Sequence, residues 1–162
     1  MTQQWMLFAS EFSVIAYALV AGVFLTFSDF VMRSLAATQP EGGIEAMQQI
    51  NRKVFRTLFM ILLLGMAAAS PLMAVAAFWQ GSGPATVWIV AAAVTYVVGT
   101  FGVTVVFNVP MNERLDRMAH DSAAAAGYWR RYVPVWSFWN SVRTLASAAS
   151  AIFMLMAVVA LA

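Results

Sequence analysis

Four long apolar stretches, separated by polar links, leave this chain little choice of environment. They lie at about residues 10–31, 57–78, 85–107 and 137–161. Each exceeds the roughly 20 residues, or about 30 Å of helix, that a bilayer core demands. Of the 162 residues, 62% are hydrophobic and 10% charged, against about 25% charged in ordinary soluble domains. The mean hydropathy of +0.79 agrees. A soluble fold of this length lacks the polar surface to cover such a surplus, so lipid must solvate it. The expected fold class is all-α: one integral membrane four-helix bundle over residues 1–162, with short amphipathic helical extensions in the links.

The first stretch, SEFSVIAYALVAGVFLTFSDFV, lacks a positive n-region and a small-x-small cleavage site. It reads as a retained span, not a signal peptide. The link after it is broken by Pro40, Gly42 and Gly43. From Ile44 to Arg56, apolar residues recur at helical spacing. This predicts an amphipathic helix running directly into the second span. Pro71 is expected to be tolerated there, with a possible kink. QGSGP at 80–84 forms an uncharged hairpin loop, and Gly99 and Gly102 allow close packing of the third span. Pro110 is expected to terminate that span near Val109.

Basic residues set the expected orientation. Arg33, Arg52, Lys53 and Arg56 lie in one long link, and Arg114, Arg117, Arg130 and Arg131 in the other. The 80–84 loop and both termini carry no basic side chain. The positive-inside rule then places both long links in the cytoplasm and both termini outside, in a bacterial-type inner membrane. The net charge of +2 follows from this topology and needs no nucleic-acid partner.

Chemistry-bearing residues gather at one level of the bundle. Ser28 and Asp29 end the first span, Gln48 and Asn51 precede the second, and Asn108 and Asn112 leave the third. Trp136, Asn140, Arg143 and Ser147 form one stripe on the fourth. An unpaired charge at that depth is expensive, so Arg143 calls for a partner or a snorkelling path, and Asp29 is the leading carboxylate. The asparagines can satisfy freed backbone groups or orient a polar ligand. The stripe can be a helix seam or a pocket wall. His120, the sole histidine, sits in a polar link as a surface residue, a general base or an axial ligand.

Cofactor chemistry is narrowed but not settled. With no cysteine, thiolate metal sites, iron–sulfur clusters and disulfides are excluded, and one histidine rules out a multi-histidine site within one chain. No metal ligand set is evident; haem or a metal stays open. The eleven methionines lack a dense Met-x-Met array and read as core filling.

Four segments in order carry a family resemblance: GVFLTFSDFVM at 22–32, GIEAMQQINRKVF at 43–55, FNVPMNERL at 107–115 and YWRRYVPVWSFWNSVRT at 128–144. With them the chain resembles the DUF1772, or anthrone oxygenase-like, family of small membrane proteins. The resemblance implies an oxygenase acting on an anthrone-like, phenolic or quinone-like substrate, with molecular oxygen as co-reactant. It carries over Asp29, Asn51, Asn108, Asn112, Trp136, Asn140 and Arg143; with His120 added as a candidate base for its titration range, Asp29, Asn140, Arg143 and His120 are the catalytic candidates. Ser28, Gln48, Asn51, Asn108, Asn112 and Trp136 are the substrate-binding candidates. The expected partners are the bilayer, a hydrophobic aromatic small molecule and, in an oligomer, further copies of the chain. The alternatives are a non-catalytic membrane binding or assembly protein, or a small transporter, for which the outer halves offer no clear polar track.

Overall fold

Residue periodicity becomes five helices in a computed structural model that describes residues 2–162. They are α1 (Gln4–Ala36), α2 (Pro40–Lys53), α3 (Leu58–Trp79), α4 (Pro84–Asp116) and α5 (Ala123–Leu161). All but α2 are long and apolar enough to cross a membrane. Their outward faces carry exposed Phe8, Ile61, Phe78, Val98 and Leu145, as lipid-solvated surfaces do. The chain is a multi-pass, all-α membrane protein.

Helix lengths divide the bundle into two tiers. α3 has 22 residues, whereas α1 and α4 have 33 each and α5 has 39. At 1.5 Å per residue, α3 is about 33 Å long and the others about 50–58 Å. The long helices therefore overshoot the start of α3. In the membrane tier all four spans surround a core that includes Tyr17, Val20, Leu63, Met66, Ile89, Tyr96 and Met154. Beyond it lies a second core of Met32, Ile44, Met47, Leu115, Ala125, Trp129, Tyr132 and Trp136. There α2 takes the fourth place, and this polar tier holds both long links.

Three boundaries depart from expectation. First, α2 does not run into α3. A 3-10 turn at Val54–Arg56 leads to an extended Thr57 (φ −119°, ψ 157°). The Thr57 hydroxyl accepts from the Met60 backbone N–H and caps α3. Secondly, Pro110 does not end α4, which continues to Asp116. A π-helical turn at Thr104–Asn108 precedes it, so Pro110 stands in the first turn of a fresh α-helical segment, where a missing N–H is tolerated. Thirdly, α5 begins at Ala123, well before residue 137, with the Ser122 hydroxyl accepting from Ala125 N–H. These polar extensions stay helical because the second core packs against them. Pro71 sits within an unbroken α3.

The other joins follow local chemistry. At the end of α3, Gly81 has φ 63°, and Ser82 N–H reaches back to the Ala77 carbonyl while Gly81 N–H reaches Phe78. This paired closure needs a left-handed residue, which glycine supplies. Gly99 permits the close approach of α4 to α5: a Cβ there would lie 2.6 Å from the Ala146 Cβ.

Candidate functional site

Where α3 stops and α2 takes over, the packing leaves a cavity of about 340 Å³. This is within the roughly 300–1,000 Å³ range of small-molecule sites. Apolar walls come from Phe24 and Phe27 of α1, Ile50 of α2, Phe59 and Leu63 of α3, and Phe101 of α4. The polar lining comprises Asn51, Thr104, Asn108, Asn112, Asn140 and Arg143, with Trp136 beside them and Arg52, Glu113 and Asp116 also present.

Widened helix turns border the same space. α1 is π-helical at Phe27–Val31, and α4 at Tyr96–Gly102 and Thr104–Asn108. Such turns shift the backbone hydrogen-bond register and recur at functional sites. Phe27, Phe101, Thr104 and Asn108 all lie in them and line the cavity.

Arg143 is the electrostatic centre. It is 5% exposed, and no carboxylate pairs with it among the described residues. Its Nη2 donates to Asn140 Oδ1 at 2.7 Å and its Nη1 to Thr104 Oγ1 at 3.4 Å. The guanidinium carbon lies 4.2 Å from the Phe24 ring centroid and 5.3 Å from that of Trp136. Two ring faces offset part of the desolvation cost, at about 0.5–2 kcal/mol per cation–π contact. The Nε–H is buried without a partner. The guanidinium is thus a buried cation held by neutral partners.

Asparagine orientations follow from what their partners can do. Asn112 Oδ1 accepts from Trp136 Nε1 and from Tyr132 OH, both at 2.8 Å. An indole nitrogen only donates, so the amide oxygen must face it and the Asn112 NH₂ must point away. Asn108 Nδ2 donates to the Trp136 carbonyl at 3.3 Å, which leaves Asn108 Oδ1 as a buried, unpartnered acceptor. The Asn51 amide nitrogen is likewise unpartnered. Asn51, Asn108 and Arg143 thus each line the cavity and each hold one buried polar atom without a partner. Orphaned groups of this kind each cost about 1–3 kcal/mol.

Asn140 has a different part. Its Nδ2 donates at 2.7 Å both to the Phe24 carbonyl and to Ser28 Oγ, while its Oδ1 receives Arg143. Both amide hydrogens are committed. Asn140 fixes α5 to α1 and aims the guanidinium, so it is a positioning residue.

The sequence candidates therefore divide. Asn51, Asn108, Asn112, Trp136, Asn140 and Arg143 converge on the cavity. Ser28 lies outside the lining and supports Asn140, with Ser141 Oγ 3.0 Å away. Gln48 donates to the Leu115 and Met118 carbonyls at 2.8 and 2.9 Å, closing the end of α4. The expected pairing of Asp29 with Arg143 is not formed: Asp29 is exposed on α1. The cause is helical phase. Phe24, Phe27 and Ser28 face the bundle, and Asp29, the next residue of the π-helical turn, is rotated away from it. His120 is also exposed, in the turn between α4 and α5, where it lines a separate surface cavity with Glu41 and Asp121. Neither residue is placed to act as a base in the larger cavity.

Sequence reasoning missed Tyr132, Thr104, and the aromatic pair Phe24 and Phe27. Tyr132 lies one helical turn before Trp136, so extending the stripe backwards would have found it. Phe24 lies one turn before Ser28 in the same way. Among the described residues, no three histidine, aspartate or glutamate side chains cluster to hold a metal.

No curated protein and no solved structure matches this chain. The anthrone oxygenase family does match, over residues 46–153. That range takes in the second half of α2, all of α3 and α4 and most of α5, and so every cavity wall except α1. The chain belongs to the anthrone oxygenase family of membrane proteins.

Proposed function

We propose that the protein oxidises a flat, hydrophobic, anthrone-like or phenolic substrate held in the cavity between the two tiers. One observation carries this reading: a buried guanidinium, paired with no carboxylate among the described residues, lies beside a mostly apolar cavity. An aromatic ketone complements it, with rings against Phe27 and Trp136 and oxygen toward Arg143.

The chemistry follows from charge. Loss of a benzylic proton from an anthrone places negative charge on the carbonyl oxygen as an enolate. Arg143 and the amides of Asn51 and Asn112 stabilise that oxyanion more than the neutral ketone, which is the requirement for catalysis. Of the carboxylates in the lining, Asp116 is committed to Arg52 at 2.7 Å. Glu113 has only a 3.9 Å contact with Arg117 and is the candidate proton acceptor. The electron-rich carbon then reacts with molecular oxygen. Two C–H bonds break, one oxygen atom becomes the new carbonyl oxygen, and the other leaves as water with both hydrogens. The substrate is oxidised by four electrons and dioxygen is reduced by four.

The basic links support a cytoplasmic polar tier, with both termini outside. Purified protein in lipid is expected to accelerate oxygen consumption by an anthrone, and Arg143→Gln to abolish that acceleration. A wild-type rate equal to a protein-free lipid control would sink the reading.

A further inference from the structure

The geometry points to a lateral entrance through which the cavity takes its ligand from the bilayer, not from water. This rests on the reading of the cavity as a ligand site.

Six lining residues are also exposed at the protein surface: apolar Val23 at 36%, Phe55 at 68%, Leu64 at 50% and Val105 at 49%, and charged Arg52 and Glu113 at the polar edge. A side chain that both lines a cavity and reaches the surface stands at its mouth. The four apolar ones come from α1, the 3-10 turn, α3 and α4. Leu64 lies well inside α3, so this mouth belongs to the lipid-solvated tier. Among the described residues, no hydrogen bond joins α3 to residues 97–116 of α4; the link at Tyr96 OH to the Leu63 carbonyl lies just before that stretch.

The polar edge is built differently. Arg52 Nε and Asp116 Oδ1 meet at 2.7 Å, tying α2 to the end of α4, and both residues line the cavity. Gln48 ties the same two helices again. The water-facing edge is therefore crossed by side-chain contacts and lined by charge, whereas the lipid-facing edge is apolar and uncrossed. The offset at Thr57 is the cause, since α3 stops short there. A planar aromatic ketone partitions into the bilayer and meets the apolar side.

The test uses anthraquinone in phosphatidylcholine vesicles holding the full-length protein, with tryptophan quenching followed by stopped flow. Loading is expected to scale with anthraquinone per lipid at fixed total concentration. Val105→Phe and, independently, Leu64→Phe should slow it about fivefold or more while saturating quenching is retained, since such changes alter the approach and not the bound state. Arg52→Ala should leave the loading rate as it is. A rate set by aqueous anthraquinone, raised by Arg52→Ala and indifferent to both phenylalanine variants, would overturn the lateral entrance while leaving the ligand site standing. Absence of any saturable quenching in the wild type would overturn the ligand site and the entrance together. Quenching by chain-brominated lipid that anthraquinone fails to displace would assign the cavity to an acyl chain and overturn both.

Discussion

Arg143 and Asn140 lie three residues apart on α5, and the guanidinium donates to the amide oxygen across 2.7 Å. A neutral amide holds the cation where a carboxylate would have neutralised it. Asn140→Asp is expected to cancel the charge and to lose both donors to Phe24 and Ser28. Affinity for a quinone-like ligand should fall about tenfold or more, equivalent to about 1.4 kcal/mol. Equilibrium tryptophan quenching measures this, and unchanged affinity would remove Arg143 charge from the binding account.

Arg143→Met should separate stability from function. Removing a buried charge recovers its desolvation cost, which offsets the penalty of about 1–3 kcal/mol for leaving Asn140 Oδ1 without its donor. Thermal unfolding in detergent should show no loss, while anthrone-dependent oxygen consumption drops about 100-fold, as on removal of an oxyanion donor. A protein that instead unfolds would mark Arg143 as a structural group.

Asn112 offers a matched pair of substitutions. Asn112→Leu leaves Tyr132 OH and Trp136 Nε1 without their acceptor, at about 1–3 kcal/mol for each orphaned group. Adding Tyr132→Phe should recover part of that loss. Asn112→Asp keeps the acceptor and removes only the amide donor, so folding should survive while turnover falls. Denaturation midpoints and oxygen-uptake rates distinguish the two.

At Gly99 the expectation is purely steric. Gly99→Ala drives a methyl to within 2.6 Å of the Ala146 Cβ and should cost about 1–3 kcal/mol. Ala146→Gly in the same protein should restore most of it, a coupling that a double-mutant cycle reads directly.

Asp29→Asn and His120→Ala should leave both stability and oxygen uptake near wild type, with stability within about 0.5 kcal/mol, because both side chains are exposed and outside the lining. A large loss of turnover in either variant would restore that residue as a catalytic base.

The amino-acid sequence by itself determined the environment and the number of spans, because hydropathy and the bilayer thickness act on residues one segment at a time. It also determined the level at which polar groups gather. The stripe through Trp136, Asn140 and Arg143 needs only the period of one helix, and all three are buried as that period requires. Pairings between helices were another matter. Whether Arg143 meets Asp29 or Asn140 depends on the rotational phase of α1 against α5, and π-helical turns reset such phases without a clear signature in composition.

The tertiary structure alone decided that the polar extensions of α1, α4 and α5 stay helical, because that depends on α2 packing against them as a second core. It also decided that the chain breaks at Thr57, opening a cavity where one helix hands over to another. Asn140, expected to act on substrate, is fully committed to Phe24, Ser28 and Arg143, and Asn112 is turned by an indole that can only donate. Those roles are set by partners distant in sequence and adjacent only after packing, so no local pattern could have carried them.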